Sequence, residues 1–301
     1  MDAWIILSIA AAGFQTLRFM LQKTLSMGAL SAMGATYARF AYAMPLAAVL
    51  AAAYLLWSGA DFPASSVRFW LFALSGGLAQ ILATWCVVAL FARRNFAVGI
   101  TFKKTEVVQT ALVGLIVLGD RIGAPGMGAI ILGLAGVLIL SDMPGGDGAP
   151  WRRRILNPAA GLGLLSGAFF AISAVGYRGA TLEIASNDPL ARALVTLAAV
   201  TAAQTCAMTV WLAWRDRGEL VRVLAARRTA IWMGITGLGG SLCWFTAFTL
   251  QSAAYVFAVG QVEVIFSLAA SVLFFGERIS AREALGIALI TLSVVIVAIV
   301  P

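Results

Sequence analysis

The sequence predicts an all-α integral membrane protein in which ten transmembrane helices form two inverted five-helix repeats around a central cavity. Three observations lead to this fold class. Hydrophobic residues make up 61% of the 301 residues, charged residues make up only 11%, and the two halves of the chain repeat one another. A soluble domain usually carries about 25% charged residues, so a chain this apolar belongs in a membrane.

The length of the apolar runs distinguishes helices from barrel strands. Strands of a membrane barrel are about ten residues long and alternate in polarity. The runs in this chain are roughly twice as long and apolar on every face, as a membrane-spanning helix requires. The spans are therefore predicted to be helical.

The repeat is clearest in two motifs that occur once in each half. Gly119-Asp120-Arg121 and Gly276-Glu277-Arg278 lie 157 residues apart, and Glu106 and Glu263 are separated by the same offset. Both glutamates lie inside apolar runs, where a charge is costly. Repeated hydrophobic halves with polar groups at equivalent depths are typical of secondary transporters.

The repeat also sets the predicted domain boundaries. A slightly shorter offset, 155, relates Phe14 to Phe169. Residues 1–142 are the first predicted repeat and 157–301 the second. The Pro/Gly-rich segment 143–156 is the linker between them.

Ten spans are predicted, five in each half. Since five is an odd number, the second half must enter the membrane from the opposite side, which makes the repeat an inverted one. The predicted spans cover about 3–21, 30–57, 69–92, 95–118, 122–141, 157–177, 188–214, 229–250, 253–275 and 280–300.

The distribution of basic residues predicts the orientation. One set of loops holds thirteen Lys and Arg residues and the other set holds three. Basic loops face the cytoplasm, so both termini are predicted to lie outside a cell inner (plasma) membrane. The basic residues flank spans instead of forming a tract, which argues against a nucleic-acid partner.

Several function classes lack the residues they need. The chain has no histidine, and its three cysteines (Cys86, Cys206 and Cys243) fall inside spans, where they act as small apolar packing residues. We expect no metal site and no cofactor. No Gly-rich run is followed by Lys-Ser/Thr, so no phosphate-binding loop is predicted and ATP-driven transport by this chain alone is not expected.

Charged side chains within the spans are the first candidates for a site. Lys103 and Glu106 lie on one face of the fourth span, and Glu263 lies at the equivalent position of the ninth. They either hold helices together as buried ion pairs, or line the cavity and bind a substrate's amino or carboxylate group or a coupling proton. Lys104 points to another side of its helix, where it snorkels to the interface or meets a second span.

Three arginines within or near spans are left open between structure and function. They are Arg18, Arg39 and Arg192. Each either anchors to backbone carbonyls or pairs with an acidic partner.

Aromatic residues are the second set of candidates. Trp85 and Trp244 fall within one helical turn of equivalence and lie mid-span, whereas membrane tryptophans prefer the interfaces. Phe14, Phe169 and Tyr177 occupy the first and sixth spans in the same way. These residues either line the cavity or pack helices together.

At this point the chain resembles the drug/metabolite transporter superfamily, in particular ten-span proteins with two EamA-type repeats. The resemblance rests on Glu106-Val107 followed by Gly119-Asp120-Arg121, and on Glu263-Val264 followed by Gly276-Glu277-Arg278. Arg39-Phe40-Ala41 in the second span is also similar to the family. Val107 and Val264 stand where the family often has proline, and Lys103-Lys104 is not a usual family feature.

The resemblance implies a secondary transporter that works by alternating access on a small-molecule substrate, in contact with membrane lipid. Export of amino acids or similar amphipathic compounds is the leading expectation, with the substrate bound among the eight candidate residues above. Export of cationic drugs and exchange of sugar- or nucleotide-linked metabolites are the alternatives. A membrane-embedded enzyme and a receptor or scaffold are more remote ones. Proton coupling is left open, and a monomer is expected. Some family members are described with both termini cytoplasmic, against the charge count.

Overall fold

The computed structural model describes residues 2–59, 63, 65–91, 102–140, 158–266, 269 and 281–299. The predicted linker 143–156 and the Gly276-Glu277-Arg278 turn lie outside these residues. Eleven α-helices run through the described segments. They are α1 (Ala3–Met27), α2 (Ala32–Ser58), α3 (Val67–Phe91), α4 (Glu106–Leu118), α5 (Ala124–Leu140), α6 (Pro158–Leu182), α7 (Pro189–Arg215), α8 (Arg217–Ala225), α9 (Arg227–Leu250), α10 (Ala253–Gly260) and α11 (Ala281–Ile299).

The helices are those of a multi-pass membrane protein. Six of them, namely α1, α2, α3, α6, α7 and α9, are long and apolar enough to cross a bilayer. Four shorter apolar helices lie within residues 106–118, 124–139, 253–266 and 284–299. Each of the ten predicted spans overlaps one of these ten helices, although ten as a number of membrane crossings stays a prediction.

Several helix ends differ from those predicted; α6, for example, ends at Leu182 and not near residue 177. Helix α1 ends at Met27 and not near residue 21, because Gln22 is buried, donates a hydrogen bond to the Ala35 carbonyl and continues the helix. Leu25 then packs against Leu30 in a small core. Between the predicted spans 188–214 and 229–250, most of the polar stretch 215–228 forms the short helix α8.

Helix α8 is attached to the beginning of α2 through Glu219, which is 1% exposed. Its carboxylate accepts hydrogen bonds from the Ser31 amide at 2.7 Å and the Ser31 hydroxyl at 2.8 Å. Arg222 also donates to Glu219, and this hydrogen bond raises the pKa of the Arg222 guanidinium. A side chain at Gly34 would overlap Glu219, so only glycine allows this approach.

The two halves of the chain pack as one bundle. The closest helix pairs are α3 with α6, α1 with α9, α5 with α11, and α2 with α7. Every one of these pairs joins a helix of the first half to a helix of the second. Helices α3 and α6 come together at glycines, since a methyl group at Gly176 would lie 2.9 Å from Gly76 Cα. Small residues of this kind let membrane helices approach closely.

Two spans are interrupted, whereas the sequence predicted continuous helices over 95–118 and 253–275. A turn at residues 104–105 separates the helical residues 102–103 from α4, and a turn at Gln261 separates α10 from helical residues 262–266. The Thr105 amide and hydroxyl both bond the Phe102 carbonyl, which tightens the first turn. The Gln261 amide bonds the Ala258 carbonyl in the second. Positions 104 and 261 differ by the repeat offset of 157.

Candidate functional site

The interruptions bring four charged side chains together in the middle of the bundle. Lys103 Nζ lies 3.0 Å from Glu106 Oε1, and Lys104 Nζ lies 3.0 Å from Glu263 Oε2. Gln15 of α1 also donates a hydrogen bond of 3.0 Å to Glu263 Oε2. One ion pair lies within the fourth span, and the other joins the first half of the chain to the second.

The broken fourth span favours a carboxylate at Glu106. Helix α4 begins at this residue, so its unpaired amides and positive dipole end lie near the negative charge. Helix α6 approaches the break at Gly167, where a methyl group would lie 3.1 Å from the Lys103 carbonyl oxygen and 3.4 Å from the Glu106 amide nitrogen. Backbone breaks at membrane depth are tolerated where protein or a cavity surrounds them.

Because these charged groups are buried, each of them needs a partner of opposite charge. Lys103, Lys104 and Glu106 are buried, and an ionised group at the bilayer centre costs at least about 2.5–3.5 kcal/mol unless it finds a partner. Lys103 also lies 4.9 Å from the ring centroid of Phe170 and 5.7 Å from that of Phe19. The two aromatic faces therefore add to the stabilisation of the ammonium group.

A small cavity of about 20 Å³ adjoins the ion pairs. Its lining comes from α1, the two interrupted spans, α6 and α9. The lining residues are Gln15, Lys103, Lys104, Glu106, Phe170, Trp244, Phe257, Gly260, Gln261 and Glu263.

A second cavity of about 30 Å³ continues from the first and shares four residues with it: Gln15, Phe170, Trp244 and Phe257. Tyr177 lies at its wall, donates a hydrogen bond of 2.8 Å to Gln80 Oε1 and stacks on Phe245. Polar groups thus continue from the ion pairs through the middle of the bundle.

Three aromatic rings form an apolar wall between the two cavities. Trp244 stacks on Phe248 with centroids 5.8 Å apart, and Phe257 meets Trp244 edge to face at 5.4 Å. The Trp244 ring lies over Gly260, where a methyl group would be 2.5 Å from the indole. The arrangement presents a flat apolar surface beside the charged groups.

A separate ion pair lies at one end of the bundle. Arg178 of α6 binds Asp120 with Nε 2.9 Å from Oδ2, and its Nη1 donates to the carbonyls of Phe248 and Gln251 at 2.8 Å each. The guanidinium therefore satisfies the last carbonyls of α9 and ties three segments together. A cation at a helix C-terminus is also favoured by the helix dipole.

Five of the eight candidate residues line these cavities: Lys103, Glu106, Glu263, Trp244 and Tyr177. Lys104, which the sequence left open between snorkelling and a second span, meets that second span at Glu263. Their part in substrate binding stays a prediction.

The structure does not bring the other three candidates to the described cavities. Trp85 is 37% exposed on the outside of the bundle. Phe14 packs against Gly239 and Gly240 of α9, and Phe169 packs beside Ala83 of α3. Whether these three rings contact a substrate stays a prediction.

Sequence reasoning missed several residues that line the two cavities, among them Phe170, Phe257 and Gln261. Phe170 was overlooked because the repeat offset pointed to its neighbour Phe169. Phe257 and Gln261 lie six and two residues before Glu263, which are spacings that point away from Glu263 on a continuous helix, and the sequence did not reveal the turn at Gln261. Gln261 is buried, and its two amide atoms have no hydrogen-bond partner among the described residues.

Comparison with known proteins agrees with the membrane fold. Residues 157–299 match the model of the EamA-like transporter family. The match covers the second repeat and supports assignment to the drug/metabolite transporter superfamily. EamA is a transporter family, which is consistent with a chain that is not an enzyme.

The fold comparison covers nearly the whole chain and not only the residues that match the EamA-like family. A crystal structure of another protein superposes with a TM-score of 0.71 over 98% of this chain and 96% of that chain, at 14% identity. A likeness at this identity shows the fold alone. No curated protein matches the sequence.

Proposed function

We propose that the chain is a secondary transporter that moves small molecules across the cell inner membrane by alternating access. Its substrate is an amino acid or a similar small amphipathic compound, and the direction is export. Two inverted five-helix halves rock around the central cavity, whose contacts with the substrate come from Lys103, Glu106, Glu263, Trp244 and Tyr177.

One observation carries the proposal: the two interrupted spans face each other at the central cavity. Discontinuous helices near the midplane expose helix ends and free backbone groups, which transporters use to bind substrates and coupling ions. Here the break before α4 presents Lys104, and the break after α10 presents Glu263. An ion pair across the halves at this place responds to their relative movement.

The helix pairs support an inverted repeat. If first and second halves exchange, the pair α1–α9 becomes α6–α3, and α4–α6 becomes α10–α1, and all four pairs are in contact. The pairs α2–α7 and α5–α11 map onto themselves. Such a pattern is what a pseudo-twofold axis in the membrane plane produces.

Orientation follows from the same arrangement and the charge count. The end of the bundle that carries α8 also carries Arg215, Arg217 and Arg227. We propose that this basic end faces the cytoplasm. The Asp120–Arg178 ion pair then lies at the outer end.

Counterflow tests the proposal. Purified protein is reconstituted in liposomes loaded with an unlabelled amino acid, and uptake of the same labelled amino acid is measured with and without a pH gradient. Saturable exchange of aromatic or other apolar amino acids would support transport. Dependence on the gradient would add a coupling proton, with Glu106 and Glu263 as its candidate carriers.

Empty liposomes and liposomes with heat-denatured protein are the controls. If folded protein exchanges no amino acid, the amino-acid assignment fails, and the same assay is repeated with cationic drugs and sugar- or nucleotide-linked metabolites. Transport of none of these classes by folded protein would overturn the transporter proposal.

A further inference from the structure

Two arginines are buried in the middle of the bundle, Arg39 at the wall of the second cavity and Arg18 near enough to Glu263 to interact with its charge. Arg18 is 2% exposed and Arg39 is 5% exposed. Arg18 Nη1 donates to Gln22 Oε1 and Arg39 Nη1 donates to Thr84 Oγ1, each at 3.1 Å. No carboxylate of the described segments forms a salt bridge with either guanidinium.

The buried charges of the central bundle therefore do not balance. Lys103 and Lys104 each have one carboxylate, Glu106 and Glu263 respectively. Arg18 and Arg39 add two positive charges to this region. Among the described side chains, neither arginine forms a salt bridge with a further carboxylate. An uncompensated buried charge is strongly unfavourable, so a site that keeps two of them is poised to receive an anionic group.

Structural arginines elsewhere in the chain have a different environment. Arg192 donates to the carbonyls of Ile184 and Leu182, and Arg178 binds both Asp120 and two carbonyls. A guanidinium carries five N–H donors in a planar fork. Arg39 has a single side-chain hydrogen bond in the described structure. Most of its N–H donors therefore do not bind other protein groups there, whereas those of Arg178 do.

Arg39 is also in the right place to meet a substrate. It lines the second cavity together with Trp244, Phe248 and Phe257. It lines a third, adjoining cavity as well, whose wall includes Gly237. A methyl group at Gly237 would lie 3.4 Å from Arg39 Cγ and 3.6 Å from Arg18 Cδ, so the two arginine side chains converge at this glycine.

From this geometry we propose that the cavity selects small substrates that carry a carboxylate, with Arg39 as the carboxylate-binding residue and Arg18 adding positive charge behind it. The fork of Arg39 matches a carboxylate in two parallel hydrogen bonds. The wall of Trp244, Phe248 and Phe257 receives the apolar body of the substrate. This inference rests on the proposed function and deepens it, because it admits organic anions and amino acids and excludes organic cations.

Three ligands with the same phenylethyl body test this selection: 3-phenylpropanoate (an anion), phenylalanine (a zwitterion) and 2-phenylethylamine (a cation). Binding to purified protein in detergent is measured by the concentration dependence of thermal stabilisation. We expect both carboxylates to stabilise the wild type and the amine to do so at least about tenfold more weakly. An amine that binds as well as the carboxylates, or a failure of both carboxylates to bind, would overturn the inference.

Variants assign the effect to Arg39. Arg39→Gln should weaken 3-phenylpropanoate at least about tenfold, since the carboxylate loses its paired guanidinium. Arg39→Lys, which keeps the charge, should recover part of the affinity. Arg228→Gln removes the same charge from an exposed site and should leave affinity unchanged. Unchanged affinity in folded Arg39→Gln would remove Arg39 from the site.

Failure of this inference is distinguishable from failure of the proposed function. Carboxylate-selective binding without counterflow in liposomes would support the inference and contradict transport. Counterflow of 2-phenylethylamine with no binding of either carboxylate would support transport and contradict the inference.

Discussion

The two halves of the chain hold equivalent glutamates in different ways. Glu106 pairs with Lys103 of its own segment, three residues away. The second half has Gly260 where the first has Lys103, and Gln261 where the first has Lys104. Glu263 therefore takes its hydrogen bonds from Gln15 and Lys104, which both belong to the first half.

One ion pair is therefore local to a single segment, whereas the other depends on how the two halves of the bundle pack. Lys103 and Glu106 move together, because they lie on one segment. Lys104 and Glu263 are held together only while the halves keep their present arrangement. We infer that substitutions at the second pair affect transport more than substitutions at the first, and four predictions test this comparison.

The largest effect is expected for Glu263→Gln. Loss of its charge leaves Lys104 buried beside a neutral amide, and we expect the counterflow rate to fall at least about tenfold, which corresponds to roughly 1.4 kcal/mol. Insertion and folding should stay intact, because the apolar spans are unchanged. Size-exclusion profiles check the folding.

The paired variants sharpen this result. Lys104→Gln combined with Glu263→Gln removes both charges of the pair between halves, and Lys103→Gln combined with Glu106→Gln removes both charges of the local pair. The first combination should slow counterflow more than the second. Equal rates in the two would contradict the comparison, and normal kinetics in Glu263→Gln would remove Glu263 from the site.

The next effect concerns the two mid-span tryptophans. Trp244 lines both cavities, whereas Trp85 lies on the outside of the bundle. Trp244→Ala should raise the substrate concentration for half-maximal counterflow several-fold. The reason is that contact with a buried aromatic ring contributes about 0.5–1.5 kcal/mol to binding beyond the apolar area that it buries. Trp85→Ala is the matched control and should change it little. Equal effects of both would refute the inward role of Trp244.

A smaller effect is expected at Gly260, which is the position of the second half equivalent to Lys103. A methyl group at Gly260 would lie 2.5 Å from the Trp244 ring, so Gly260→Ala should lower the Tm through overpacking of about 1–3 kcal/mol. Gly161→Ala is the control, since no heavy atom lies within 4 Å of a methyl group there. A Tm that is unchanged by Gly260→Ala would show that the ring moves freely.

The smallest effect is expected at the end of the bundle. Asp120→Asn weakens the ion pair with Arg178, but the guanidinium keeps its two bonds to the α9 carbonyls. We expect a loss of about 1 kcal/mol or less, decreasing as salt is added, because partly exposed charges are screened. A Tm measured at low and high salt checks this. A loss as large as that of Glu263→Gln would place the critical contact between halves at this end.

The sequence by itself determined the membrane environment, the helical class and the repeat. These follow from composition, from the length of apolar runs and from the offset of 157 residues, all of which are read along the chain. The equivalent positions of Glu106 and Glu263 were available in the same way, and so was the expectation that both line a cavity.

Only the tertiary structure decided which side chains face the cavity. Successive residues of a helix point about 100° apart, so Phe169 and Phe170 face different neighbours although they adjoin in sequence. In a soluble helix, a polar face would reveal the orientation. In these spans both lipid and protein neighbours are apolar, and nothing in the pattern marks Trp85 as outward and Trp244 as inward. The partner of Lys104 was undecided for the same reason, because an ion pair between halves depends on how two distant spans pack.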